Sequence, residues 1–161
     1  LFLQPEVVDS LVSSSMIIQK IKHHNFSATT KLDFSTKKEN EQAGLIVYRT
    51  ANSYYALMKD KEGLQLIKKH LGEKQIIQRI PYKNKEVYLK VEGKGLNAVF
   101  SFGEHPERME TIGGTQKLDV ISDNKFNKFN GSGVGVYASS NGEKTKNKAL
   151  FDWFNYHSTE E

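Results

Sequence analysis

The stretch Phe26-Ser27-Ala28-Thr29-Thr30-Lys31-Leu32-Asp33-Phe34 alternates apolar or small residues with polar ones. Successive side chains of an extended chain point to opposite faces, so this period of two predicts a strand with one face buried. The pattern repeats downstream. Ala43 to Thr50 and Ser53 to Lys59 read as strands split by Ala51-Asn52, a gap short enough for a hairpin. Further strands are expected over Gly63 to Lys69, Lys74 to Ile80, Glu86 to Glu92 and Leu96 to Phe102. Lys61-Glu62-Gly63, His70-Leu71-Gly72, Pro81-Tyr82-Lys83-Asn84 and Gly93-Lys94-Gly95 punctuate them. Regular spacing of roughly 8 to 12 residues, without amphipathic helices between strands, argues for an all-β antiparallel sandwich or jelly roll with little or no helix. Glu6 to Ser15, with Val7, Val8, Val12 and several serines, scores poorly as a helix and is expected as a loop or single turn.

Two more strands close the chain. Phe129-Asn130-Gly131-Ser132-Gly133 is rich in small residues that permit a sharp turn, and Val134, Val136 and Ala138 then alternate as a half-buried strand. A polar loop over Ser139 to Asn147 leads to Phe151-Asp152-Trp153-Phe154-Asn155-Tyr156. Strict alternation there puts Leu150, Asp152, Phe154 and Tyr156 on one face and Phe151, Trp153 and Asn155 on the other. Aromatics on both faces imply a strand buried between two layers, or one with a face against a partner.

At 161 residues and 18.3 kDa the chain suits one domain, residues 1–161, large enough to bury about 70% of its unfolded surface. It holds no cysteine, which excludes disulfides and thiolate metal sites and leaves the compartment open. The net charge of +4 arises from 23 basic and 19 acidic residues that are interspersed, so no nucleic-acid partner is expected. The cluster Lys144, Lys146, Lys148 lies in the polar loop and reads as a solvated segment. No apolar run approaches the roughly 20 residues that cross a bilayer as a helix, and no membrane partner is expected. Leu1-Phe2-Leu3-Gln4 reads as a strand met partway, so the expectation is a fragment whose localisation is unknown.

Catalytic constellations are thin. His23, His24, His70, His105 and His157 are scattered, with no HExxH pattern. Gly131-Ser132-Gly133 is neither a nucleophile elbow nor a phosphate loop, because a strand follows it. Glu104 and Glu107 are the best local pair for glycoside hydrolysis, but Phe102-Gly103-Glu104-His105-Pro106-Glu107-Arg108 reads as a solvated turn. Asp152, set among aromatics, would need hydrogen-bond donors or a cation if buried. A structural hydrogen bond is favoured over a structural calcium ion, which wants six to eight oxygens. No other cofactor is expected. Tyr48, Tyr54, Tyr55, Tyr88, Tyr137, Trp153 and Tyr156 are candidates for stacking on sugars, with core or cross-strand packing as the ordinary alternative.

Four segments in order resemble the C-terminal concanavalin A-like sandwich of family 43 glycoside hydrolases, the β-xylosidases and α-L-arabinofuranosidases. They are His23-x-x-Phe26-x-Ala28-x-Thr30-x-Leu32-x-Phe34, Glu41-Gln42-Ala43-Gly44-Leu45 with Tyr48 and Tyr54-Tyr55-x-Leu57, Phe129-Asn130-Gly131-x-x-Val134-Gly135, and Phe151-Asp152-Trp153-Phe154-x-Tyr156. The resemblance covers nearly the whole chain, except for a first strand that the family places before Leu1. It implies a non-catalytic accessory domain, with an upstream β-propeller carrying the catalytic carboxylates as partner and an oligo- or polysaccharide as the parent's substrate. In some members the sandwich lends an aromatic side chain to the rim of the neighbouring pocket, and Phe129, a large apolar residue in a Gly-rich polar segment, is the candidate for that role, with an ordinary core residue at a strand entry as the alternative. Lys20-Ile21-Lys22 and Gly133 depart from the family pattern and leave the sugar open. The alternative is an autonomous carbohydrate-binding module with its own aromatic platform. An accessory domain would carry an apolar patch for the propeller, whereas a binding module would be a soluble monomer with glycan affinity.

Overall fold

A computed structural model describes residues 15–36, 41–121, 132–139 and 149–159. Eleven strands form among them: β1 (Ser15–Lys20), β2 (Asn25–Asp33), β3 (Gln42–Thr50), β4 (Ser53–Lys59), β5 (Gly63–His70), β6 (Glu73–Pro81), β7 (Glu86–Lys94), β8 (Asn97–His105), β9 (Arg108–Lys117), β10 (Gly133–Ser139) and β11 (Leu150–Ser158). The one helical element among the described residues is a 3-10 turn, Leu118–Val120. Every pairing is antiparallel. A six-stranded sheet has the order β1-β10-β3-β4-β5-β6, and a five-stranded sheet has the order β11-β2-β7-β8-β9. The expected all-β sandwich is therefore present. The two closing strands lie in different sheets, β10 between β1 and β3 and β11 beside β2.

Alternation decides what fills the space between the sheets. Ala43, Leu45 and Val47 of β3, Tyr55 and Leu57 of β4, and Leu64 and Leu66 of β5 meet Ala28, Leu32, Val87, Leu89, Val91 and Phe100 from the other sheet. Each large apolar side chain removed from water there stabilises the fold by about 1.5–3 kcal/mol. The intervening residues of the six-stranded sheet form a second buried cluster, with Ile46, Tyr54, Ala56, Met58, Ile67 and Tyr137 packed by Met16, Ile18 and Tyr48. This is why Ala43 to Val47 reads as a continuous apolar run: both of its faces are buried.

Two polar ties cross between the sheets from the inner face of β4. The Tyr55 hydroxyl donates to the Lys117 carbonyl at 2.8 Å, and the Lys59 ammonium donates to the carbonyls of Phe34 at 2.5 Å and Lys85 at 3.1 Å. They stand at opposite ends of the sandwich, the first beside the end of β9 and the second beside the end of β2.

Several expectations need correction. Alternation fails in β11, where the register shifts between Phe151 and Trp153: Phe151 pairs with Leu32 while Trp153 pairs with Lys31. Asp152 is the extra residue of a β-bulge. Phe151, Phe154 and Tyr156 therefore share the inner side, and Trp153 turns outward. Strand β9 was not expected, because Ile112 is its one fully buried residue and Gly113 and Gly114 both take positive φ, 79° and 63°. Ser15 opens β1 rather than closing a loop, and β8 runs on through Glu104 to His105. Residues 6–14 lie outside the described residues.

Candidate functional site

Phe129 also lies outside the described residues, but both flanks of its segment are fixed. The Ser132 hydroxyl donates to the Ile121 carbonyl, and the Ile21 amide donates to the Ser132 carbonyl at 3.0 Å. Ile21, Ile121 and Ser132 are all buried. The glycines after them serve close packing rather than a turn. A Cβ on Gly135 would lie 1.9 Å from the Ile17 carbonyl oxygen, and one on Gly133 would lie 2.0 Å from Ile18 Cγ2. Nearby, the Tyr156 hydroxyl meets Nδ1 of His23 at 3.1 Å and accepts from the Lys22 amide at 3.2 Å, fastening β11 to the β1–β2 connection.

The opposite end of the sandwich holds Glu104 and Glu107. A cleft of about 390 Å³ is lined by Tyr82, Phe102, Glu104, His105, Arg108 and Glu110, and Asp33, Asn84, Lys85 and Glu86 line an adjoining hollow. Glu104 accepts from the Asn84 side-chain amide. Tyr82 donates to the Glu86 carbonyl at 2.6 Å, and burial followed by the Glu104 charge pushes its pKa up to about 12. Burial also lowers the pKa of Lys59. Glu104, His105 and Glu107 are all exposed, and Glu107 sits in the β8–β9 turn. This end therefore has the solvated character expected of a hairpin tip.

The outer face of the five-stranded sheet brings together residues that the sequence scatters. Trp153 is 41% exposed, and its ring centroid lies 6.1 Å from that of Tyr88, with 48° between the planes. Lys31 is the register partner of both residues, and its Nζ stands 5.7 Å from the Tyr88 centroid, 3.5 Å from Asp152 and 4.0 Å from Glu86. Glu86 first, then Tyr88, holds the Lys31 pKa above its ordinary value. Asp152 is not buried: its side chain is 52% exposed and faces this ammonium. A calcium ion would need several oxygens where Lys31 stands, and no group of three or more His, Asp or Glu among the described residues is placed to hold a metal. Tyr88 and Trp153 were both candidates from sequence, whereas Lys31 and Glu86 were not. Their signal was their position on the polar side of an alternating strand, which is compatible with any solvated face. Tyr54, Tyr55 and Tyr137 are buried core residues.

Two facing antiparallel sheets of six and five strands define a β-sandwich. The chain belongs to the β-xylosidase C-terminal concanavalin A-like domain family, which matches residues 1–157. It is 29% identical over 150 residues to a non-reducing end α-L-arabinofuranosidase of Bacteroides ovatus, covering 89% of this chain and 28% of that protein. The crystal structure of a xylan β-1,4-xylosidase from Bacillus halodurans superposes with a TM-score of 0.84 at 25% identity, covering 96% of this chain and 31% of that one. A family 43 protein from Bacillus licheniformis gives a TM-score of 0.85 at 24% identity, covering 98% and 32%, which shows the fold. The chain thus spans about a third or less of the length of these relatives.

Proposed function

We propose that this chain is the accessory sandwich of a larger family 43 glycosidase that acts on xylan- or arabinan-type glycans. In this reading it packs on an upstream catalytic β-propeller, which supplies the carboxylates, and residues 122–131 carry Phe129 toward the rim of the substrate pocket. The observation that carries the proposal is the mismatch in coverage: 89% of this chain aligns with only 28% of an arabinofuranosidase.

The test is the intact mass of the native product, expected to exceed 18.3 kDa by about 300 residues, two ordinary domains' worth. A native product near 18.3 kDa would overturn the accessory reading. In the complete enzyme, Phe129→Ala should lower kcat/KM roughly tenfold, about 1.4 kcal/mol of transition-state binding. Unchanged turnover and affinity would remove Phe129 from the pocket.

A further inference from the structure

The geometry points to a sugar-binding subsite on the outer face of the five-stranded sheet, formed by Trp153 and Tyr88 and taking a ring of a neutral glycan. Trp153 is the chain's one tryptophan, and it stands on the outer face just after the bulge at Asp152. Strict alternation continued back from the inward Phe154 and Tyr156 would bury Asp152 and expose Phe151. The bulge instead keeps Phe151 packed against the core while Asp152 and Trp153 stand outside. A large ring at 41% exposure beside a second ring offers an apolar surface for the C–H face of a sugar.

The surroundings match the rest of such a ligand. Sugar hydroxyls both donate and accept, and Lys31 supplies donors between the carboxylate acceptors of Asp152 and Glu86. Lys90 pairs with Glu92 at 2.5 Å on the same face. Two ammonium groups, Lys31 and Lys90, thus stand among three carboxylates, Asp152, Glu86 and Glu92, a balance that does not attract an anion and suits an uncharged polyol. Among the described residues β11 is the outermost strand of its sheet, so the platform lies at the border of that sheet.

The site stands apart from the accessory role proposed above and borrows from it only the choice of probes. The single tryptophan makes emission from this chain a direct report on position 153. Titration with xylohexaose and with an α-1,5-linked arabinohexaose should give a saturable change in that emission with at least one of them. Tyr88→Ala should weaken the response roughly tenfold or more, and so should Lys31→Met, with the thermal midpoint of each variant confirming that it is folded. Affinity electrophoresis in gels containing arabinoxylan should show retardation that Trp153→Ala abolishes and Trp153→Phe largely retains.

No emission change with either sugar up to about 10 mM, a concentration that reports free energies near −3 kcal/mol, would overturn the proposal. So would full binding by folded Tyr88→Ala. A change in emission that follows protein concentration and ignores sugar would assign the face to another protein surface instead. A native product of 18.3 kDa would sink the accessory reading and leave this subsite standing, and a silent titration would do the reverse.

Discussion

Leu71 is held at φ 52° and Gly72 at φ 85° in the tight turn that joins β5 to β6. Two consecutive positive φ values are what a type I′ hairpin requires, and Asn-Gly satisfies it with little strain. Leucine does not, because its Cβ crowds the following carbonyl at a cost of about 1–2 kcal/mol. The side chain recovers little, being 81% exposed. Leu71→Asn is therefore expected to stabilise the protein by about 1 kcal/mol, raising the thermal midpoint by roughly 3 °C. Calorimetry or a urea melt checks it, and an unchanged midpoint would mean that the turn relaxes around the leucine. The sequence marked His70-Leu71-Gly72 as punctuation because glycine tolerates this region. It could not mark the strain at Leu71, which exists only once the two flanking strands fix the turn length.

Among the elements, the central strands and the edge strand β6 were legible, whereas β1 and β9 went unread and the bulge in β11 was missed. β2, β3, β4 and β7 carry one-face or two-face apolar patterns, because each is covered by neighbours on both sides. Among the described residues β9 and β11 are edge strands, where fewer side chains are buried and a bulge costs little. Alternation therefore misplaced Phe151 and Asp152, and the residues that assemble the outer aromatic surface could be named but not brought together. Gly93 shows the same limit inside a strand. It reads as a turn residue, yet it pairs with Phe26 within the β2–β7 ladder. A Cβ on it would lie 2.2 Å from Cε1 of the Phe26 ring, and Phe26 is fully buried and stacked on Tyr156 at 5.8 Å. Because the added methyl would overpack this buried ring, Gly93→Ala should destabilise the protein by about 1–3 kcal/mol. A loss below about 0.5 kcal/mol would show that the Phe26–Tyr156 stack shifts as a unit.

For the whole molecule, the two inter-sheet ties make stability depend on pH in the alkaline range. Lys59 is buried beneath Tyr82, with its pKa lowered first by burial. As pH rises from the folded pKa of Lys59 toward about 10.4, the ordinary lysine value, the unfolded chain holds the proton that the folded one has released, so stability increases with pH. Tyr82 acts in the opposite sense. Its folded pKa, about 12, lies above its unfolded value, near 10. Above pH 10 the unfolded chain loses a phenolic proton that the folded chain retains, and stability falls until both forms are ionised. Tyr55, whose hydroxyl is tied to Lys117 and whose pKa is raised mainly by burial, adds to the same fall. Denaturant melts between pH 8 and 12 should therefore show a rise that gives way to a decline near pH 10. Lys59→Met should flatten the rise, because the titrating group is gone. The same variant keeps one partner at the Lys85 carbonyl, which still accepts from the Phe34 amide at 3.0 Å. Tyr82→Phe should leave the rise intact and make the decline shallower. Identical pH profiles for the wild type and both variants would mean that neither group couples proton release to the closure of the two sheets.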